Sequence, residues 1–176
     1  DICAFHGVNP ATKAAVSSLA AKNFDMASIA TVTKTAGKED EDIDTAVQAI
    51  TGEDGVVTGI AMAPAFSAAL SKLKVNGVVQ YPEFRFGQNP EAFYGMASDV
   101  NNTVSFGTSK DLAVVGDFQN AFKWGYSENV PCEIIEYGDP DGQGDLKRTN
   151  QIVLRAETYI GWGILDTASF KKIAKA

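Results

Sequence analysis

The sequence has few of the residues that build disulfide-rich, zinc-binding or nucleic-acid-binding domains. Cys3 and Cys132 are its two cysteines and His6 is its one histidine, which excludes a disulfide framework and a zinc site of paired Cys and His. We expect both thiols to be reduced and buried in the core. Lys and Arg number 15 against 22 Asp and Glu, and the net charge is −7. Such a chain repels phosphate, so we expect no sequence-specific nucleic-acid partner.

Long hydrophobic runs are also missing. Runs such as residues 59–66 are far shorter than the roughly 20 residues of a membrane-spanning helix, so we expect no membrane partner. The chain does have the composition of a folded domain, with 45% hydrophobic and 21% charged residues. Its 176 residues allow one ordinary domain or two small ones. Because it starts at Asp1 without a Met or a cleavage motif, we predict a fragment of a longer protein.

The first regular pattern is a short strand over residues 28–35, where apolar and polar residues alternate. An acidic stretch follows, and apolar residues then recur at positions i, i+3, i+4 and i+7. Carboxylates favour the positive end of a helix, and this spacing places the apolar side chains on one face. The pattern therefore predicts a helix that begins near Lys38 and ends at Gly52.

A second strand and helix are predicted directly afterwards. Residues 55–62 form a compact apolar run between turn residues, which is typical of a buried strand. Pro64 is suited to the first turn of a helix, and apolar spacing extends the predicted helix to Lys74. We expect Asn76 and Gly77 to end it.

Residues 80–102 combine several Pro and Gly residues with aromatic side chains. This composition predicts an ordered loop with little regular structure, held in place by its rings. The aromatic residues that we single out are Tyr81, Phe84, Phe86, Phe93 and Tyr94.

From residue 104 onward the patterns favour strands. The predicted strands cover residues 112–115, 122–126 and 131–136. Residues 138–145 are rich in turn formers, and they predict a hairpin tip that is poorly ordered or held only by a neighbour. One long strand is predicted over 150–163, after which we expect Asp166 to cap a short helix that carries Phe170 and Ile173.

No residue pattern points to catalysis, and we predict no catalytic, cofactor-binding or metal-ligating residues. His6 has no nucleophile motif or second histidine beside it, which favours a structural role. The carboxylates of residues 39–44 favour a helix start in which they point in different directions into water. Asp139, Asp141 and Asp145 lack the spacing of a calcium loop, so we interpret them as a solvated hairpin tip.

Five short motifs follow one another in the last third of the chain. They are Leu112-Ala113-Val114-Val115-Gly116-Asp117-Phe118, Trp124-Gly125, residues 150–157, Gly161-Trp162 and residues 166–170. In this order and spacing they resemble the closing segment of the major capsid proteins of tailed bacteriophages, which have the Hong Kong 97-type fold. The resemblance is strong after about residue 110 and loose before it.

This resemblance implies an α/β (α+β) fold of the Hong Kong 97 type that is truncated. The implied divisions are residues 1–23 as the end of the spine helix, 24–130 as the axial domain, 131–165 as the long peripheral-domain strands and 166–176 as a C-terminal return segment. The family's N-terminal arm, extended loop and most of its spine helix have no counterpart in the sequence.

The resemblance also implies a function. It implies a structural subunit rather than an enzyme, without cofactors, that assembles with itself into hexamers and pentamers of an icosahedral shell. Implied partners are other head proteins such as the portal and, without sequence specificity, packaged double-stranded DNA. The implied location is the virion capsid, and the host bacterial cytoplasm during assembly. The aromatic residues of 80–102 are then candidates for capsomer contacts.

Two alternatives stay open at this stage. The first is a shell subunit of an encapsulin-like bacterial nanocompartment, which resembles the same fold but encloses protein cargo. The second, more distant alternative is a small α/β metal-dependent enzyme that uses the acidic cluster, although no ligand spacing supports it.

Overall fold

A computed structural model describes residues 2–16, 18, 23–25, 28–107, 109–127, 130–140 and 142–176. The chain divides into two units. The first unit comprises Asp1–Lys123 and Gly163–Ala176, and the second comprises Trp124–Trp162.

The described helices and strands have the following bounds. The α-helices are α1 (Ile2–His6), α2 (Glu39–Thr51), α3 (Pro64–Leu70) and α4 (Leu146–Thr149). The strands are β1 (Ala30–Thr33), β2 (Gly59–Met62), β3 (Lys74–Val75), β4 (Val78–Val79), β5 (Ala92–Phe93), β6 (Met96–Val100), β7 (Asp111–Gly116), β8 (Phe122–Tyr126), β9 (Cys132–Ile135), β10 (Val153–Ala156), β11 (Ile160–Ile164) and β12 (Phe170–Ala174). Two 3-10 segments, Pro82–Gly87 and Asn102–Ser105, lie between them.

A six-stranded mixed sheet organises the first unit, with the strand order β1-β12-β7-β2-β6-β5. The pairs β1 with β12 and β2 with β6 are parallel, and the other neighbours are antiparallel. Strands β1 and β12 come from opposite ends of the chain, so the sheet joins both ends in one hydrogen-bonded layer.

Hydrophobic clusters cover both faces of this sheet. The larger one joins α2 and α3 to the sheet, and its buried members are Ile43, Ala46, Ile50, Ile60, Met62, Phe66, Leu70, Phe84, Phe93, Leu112, Ala113, Val115 and Ile173. The cluster on the other face consists of Phe24, Ile29, Val114, Ala121 and Phe170. Ala113, Val114 and Val115 of β7 alternate between the two clusters, as the pleat of a strand requires.

Helix α2 follows the predicted pattern closely. It starts at Glu39 with four acidic residues in its first turn and ends at Thr51, with Gly52 at its C-terminal cap. Helix α3 begins at Pro64 as predicted but already ends at Leu70. Its predicted extension to Lys74 is wrong because the chain turns into the hairpin of β3 and β4.

Asn76 and Gly77 form the turn of that hairpin rather than the end of a helix. Their φ angles are 52° and 81°. A two-residue hairpin loop with both residues in the left-handed region is the type I′ turn, for which Asn-Gly is the preferred sequence.

The prediction of little regular structure over residues 80–102 is partly wrong. Strand β6 lies in the central sheet beside β2, with Gly59 opposite Ala97 and Met62 opposite Val100. The preceding residues form the 3-10 segment Pro82–Gly87 and the short strand β5. The aromatic anchoring that we expected is present, because Phe84 and Phe93 are buried in the larger core.

The predicted C-terminal helix is also wrong. Residues Phe170–Ala174 form β12, which is buried throughout and pairs with β1 on one side and β7 on the other. Asp166 does stabilise the turn ahead of this strand, where it accepts hydrogen bonds from the Ala168 backbone amide and the Ser169 side-chain hydroxyl. The turn that Asp166 stabilises leads into a strand because the sheet offers two unpaired edges there.

The second unit is built from short strands and one helical turn. Strands β9 and β10 pair antiparallel, with Leu154 opposite Ile134 and Ala156 opposite Cys132. The long strand predicted over 150–163 is divided into β10 and β11, and β11 pairs with β8. The sequence did not predict helix α4, which buries Leu146. Asp145 is its N-cap, and the Asp145 side chain accepts a hydrogen bond from the Lys147 amide.

The cysteines differ from the prediction that both lie in the core. Cys132 is exposed on β9, and Cys3 is half-buried with its thiol donating to the Val8 carbonyl at 3.1 Å. Both are free thiols.

Candidate assembly surface

Phe86 and Tyr94 are the aromatic side chains of residues 80–102 that the structure leaves open to solvent. Phe86 is 94% exposed and Tyr94 is 80% exposed. Both also have positive φ angles, 59° and 48°. A residue other than Gly costs about 1–3 kcal/mol in the left-handed region of backbone conformation, so the backbone is strained where it presents these two rings.

The other three aromatic residues of this group support that surface from below. Phe84 and Phe93 are buried, with exposures of 2% and 5%. Phe93 packs edge-on against Tyr94, Phe84 and Tyr81, with centroid distances of 4.9, 5.2 and 5.7 Å. The five rings therefore divide into an anchored layer and an exposed layer, with Tyr81 half-buried between them.

A groove of about 400 Å³ runs between α2 and these rings. Val47, Val57 and Met96 contribute to its apolar lining, and Asp40 and Asp44 lie on its α2 side. The Tyr81 hydroxyl donates to Asp40 Oδ2 at 3.2 Å. Burial and the adjacent Asp40 carboxylate raise the pKa of Tyr81 to about 12, so the phenol keeps its proton and this bond at neutral pH. The groove thus combines apolar walls with an acidic rim.

His6 is the centre of a second arrangement, which is buried and structural. Its side chain is 4% exposed, and Nδ1 lies 2.6 Å from Asp25 Oδ2. Its Nε2 donates to the Thr103 carbonyl oxygen. Because both ring nitrogens face oxygen acceptors, the doubly protonated imidazolium fits the site best.

A second ion pair, between Lys172 and Asp111 of the sheet, lies next to His6 and Asp25. Lys172 Nζ on β12 lies 3.0 Å from Asp111 Oδ2 on β7, and both side chains are about nine-tenths buried. Burial works against charge on each group. For His6 and Asp25 their mutual hydrogen bond and attraction outweigh it, which raises the pKa of His6 and lowers the pKa of Asp25. Burial and the adjacent Asp25 raise the pKa of Asp111 despite Lys172.

The acidic start of α2 is only partly solvated, which corrects the prediction. Glu39 is buried and pairs with Lys34 at 2.7 Å, and this pair outweighs the effect of burial and lowers the pKa of Glu39. Asp42 is buried as well and accepts a hydrogen bond from the Thr35 amide at 2.7 Å. These two carboxylates fasten α2 to the end of β1, whereas Glu41 and Asp44 are exposed.

One face of the β9–β10 hairpin is apolar and exposed. Leu154 and Ile134 lie opposite each other and are 66% and 60% exposed, and the next pair on this face is Ala156 with Cys132. The other face carries Arg155 opposite Glu133. This hairpin therefore presents a second apolar surface, which belongs to the second unit.

The remaining candidate residues that the structure describes have structural roles. Asp139 accepts a hydrogen bond from the Gly144 amide at 2.9 Å and Asp145 caps α4, whereas Asp141 lies outside the described residues. Within the described ranges, no group of three or more His, Cys, Asp and Glu side chains could hold a metal ion. No helix in the part of the chain that the structure describes has the length and hydropathy needed to cross a membrane.

The fold of this chain is similar to that of chains in solved phage structures. A chain of Mycobacterium phage Ogopogo superposes with a TM-score of 0.83 and 34% identity, covering 99% of this chain and 62% of that chain. A chain of Gordonia phage Cozz gives a TM-score of 0.81 and 27% identity, covering 99% of this chain and 57% of that chain. Both are phage major capsid proteins.

The fold is that of phage major capsid proteins. A capsid chain of an empty gene-transfer-agent (GTA) particle shares it at a TM-score of 0.59 and 14% identity, covering 85% of this chain and 50% of that chain. The resemblance and the α+β fold class inferred from the sequence are thereby confirmed. The chain spans about 60% of the length of the first two capsid structures. No protein-family model and no curated protein matches it.

Proposed function

We propose that this chain is part of a major capsid subunit, copies of which assemble into an icosahedral shell around double-stranded DNA. The observation that carries the proposal is the superposition on a phage capsid chain at 34% identity over 99% of the residues. The role is structural rather than enzymatic, since subunit contacts and not a pocket of perturbed groups perform the task of a shell.

The surfaces of the first unit support this function. We assign capsomer contacts to Phe86 and Tyr94, with Tyr81 at their base, because these rings are exposed and lie on a strained backbone. Phe84 and Phe93 act through the core that holds the exposed rings in position. We assign residues 24–130 to the axial domain, and the strands within 131–165 to the peripheral domain.

The charge of the chain is suited to a container for DNA. A net charge of −7 makes the chain as a whole repel phosphate, so packaged DNA is held without strong adhesion to this part of the wall. Contacts with the portal and assembly in the host cytoplasm belong to the same proposal.

Expression of the full-length subunit tests the function. We expect closed particles by electron microscopy and light scattering, and we expect the 176-residue chain alone to remain a monomer or weak oligomer, because the rest of the subunit supplies much of the contact area. A full-length subunit that stays monomeric under all assembly conditions contradicts the proposal. Particles from the native host that hold protein cargo and no DNA favour the nanocompartment instead.

A further inference from the structure

The segment Pro82–Gly87 presents a cation and an aromatic ring side by side. The Arg85 guanidinium lies 5.9 Å from the centroid of the exposed Phe86 ring. Among the described residues Arg85 forms no ion pair. Lys13 also lies over a ring, that of Phe106, but Phe106 is only half-exposed. We call the Arg85–Phe86 pair the knob.

The groove between α2 and the aromatic rings has the complementary character. Its walls include Val47 and Tyr94, and its rim carries Asp40 and Asp44. Within the described part of the chain neither carboxylate has a cationic partner, since Asp40 accepts from Tyr81 and Asp44 accepts from Gln48. An occupant with an apolar ring and an adjacent guanidinium satisfies both the walls and the rim.

We propose that the knob of one subunit inserts into this groove on the adjacent copy of the same chain. Phe86 packs against the apolar walls, and Arg85 pairs with Asp44 at the rim. The inference rests on the proposed function, because it specifies the partner and the contact of the same assembly surface.

The character of the contact explains why the partner is a second copy. Knob and groove are formed by different residues, and neither Arg85 nor Phe86 lines the groove. A contact between two different patches of identical subunits is heterologous, and such contacts close into rings when the rotation permits. Arginine and aromatic residues at the centre of an interface are also the residue types that most often dominate binding.

Charge reversal in the full-length subunit tests the pairing. Arg85→Glu and Asp44→Arg place like charges at the contact, and each should raise the concentration required for assembly about tenfold or more. The double variant Arg85→Glu/Asp44→Arg should restore assembly, because the opposite charges are exchanged. Phe86→Ala should weaken assembly by a similar factor without rescue by the charge exchange. Lys74→Glu, at an exposed cation on β3, is the matched control and should assemble like the wild type.

Mixing the two single variants separates a contact between subunits from an effect within one. Two contacts are possible where unlike subunits meet. When the Arg85→Glu subunit supplies the knob, its new carboxylate faces the new guanidinium in the groove of the Asp44→Arg subunit. When the Asp44→Arg subunit supplies the knob, its natural Arg85 faces the natural Asp44 of the other subunit. The mixture should therefore assemble at a lower concentration than either variant alone, because contacts between unlike subunits avoid the like charges. Melting curves of each variant check that the subunit folds.

The outcomes are distinguishable. Restoration in the double variant and in the mixture supports the pairing. Single variants that assemble like the wild type, or single variants that fail without any restoration, overturn the pairing and leave the shell function intact. A wild-type subunit that never assembles overturns the function together with the pairing.

Discussion

The two units of the chain use their apolar residues in opposite ways. The first unit buries almost all of the hydrophobic core, whereas Leu146 is the one buried hydrophobic residue among the described residues of the second. The second unit instead exposes many large apolar side chains, namely Trp124, Tyr126, Val130, Ile134, Tyr137, Ile152, Leu154, Tyr159 and Ile160. Stability is therefore concentrated in the first unit, and the second is composed largely of surface that other chain segments or subunits can cover.

Ion pairs provide the largest expected contrast between the units. Lys172→Met should lower the free energy of unfolding by about 3–5 kcal/mol, because it leaves Asp111 buried without its cation. In the second unit, Arg155→Met removes an exposed pair with Glu157 and should cost less than about 1 kcal/mol. Urea unfolding of the 176-residue chain measures both. Equal costs in the two units refute the assignment of stability to the first.

The double variant Lys172→Met/Asp111→Asn is the control for this explanation. It removes the stranded charge and should recover part of the loss. No recovery at all would show that Lys172 stabilises the sheet through packing rather than through its charge.

Glycine substitutions test the same difference between the two units, with the next largest expected effect on stability. A Cβ at Gly116 would lie 3.0 Å from Phe170 Cα and closer still to the Ser169 carbonyl oxygen, so Gly116→Ala should cost about 3 kcal/mol. Gly161 has open space around the same position, and Gly161→Ala should be neutral or stabilise by about 0.4–1 kcal/mol. Thermal unfolding of the two variants provides the measurement. A tolerated Ala at Gly116 would mean that β7 and β12 are not packed as described.

Protonation affects the first unit through its single histidine. The pKa of His6 is raised above 6.5, so its stabilising contribution is complete below pH 6.5 and is lost as the pH rises through the higher folded-state value. His6→Gln should cost about 1–3 kcal/mol at about pH 6 and remove this dependence. Unfolding free energies between about pH 5.5 and 9 check the slope. A slope that persists unchanged in His6→Gln assigns the dependence to another group.

The smallest effect on stability is expected on the exposed hairpin of the second unit. Leu154→Ser should change the unfolding free energy of the isolated chain by less than about 0.5 kcal/mol, because Leu154 is 66% exposed. In the full-length protein the same change should slow or weaken shell formation, as followed by light scattering. An assembly rate equal to that of the wild type would show that this face stays uncovered in the particle.

The elements that the sequence predicted well are those with local patterns. Helix α2 has its acidic start, its apolar spacing and Gly52 within one short segment, and β8 was predicted at its observed bounds. The helix predicted around Phe170 and Ile173 failed because two apolar residues three positions apart also fit a strand that is buried on both faces. The choice between a helix and a strand depends on pairing with β1 and β7, which are distant in sequence.

The same limit applies to the candidate surface. Composition identified the aromatic segment. Which rings are exposed, as Phe86 and Tyr94 are, and which are buried, as Phe84 is, depends on left-handed backbone positions that no residue pattern predicted. The groove was missed because it brings α2 beside residues that are distant in sequence. The partners of His6 were missed for the same reason, since Asp25 and Thr103 come from separate segments.

The position of β12 has a consequence for how the subunit is made on the ribosome. Strand β12, the last of the described strands in chain order, lies inside the sheet between β1 and β7, so β1 has no sheet neighbour among the described strands until β12 has been synthesised. Domains generally fold as units, and N-terminal domains fold first during synthesis. Here a nascent chain that ends before β12 lacks the strand that connects β1 to the rest of the sheet. The order of synthesis thereby works as a quality check, because only a polypeptide that has been translated through β12 can present a finished sheet to its neighbours.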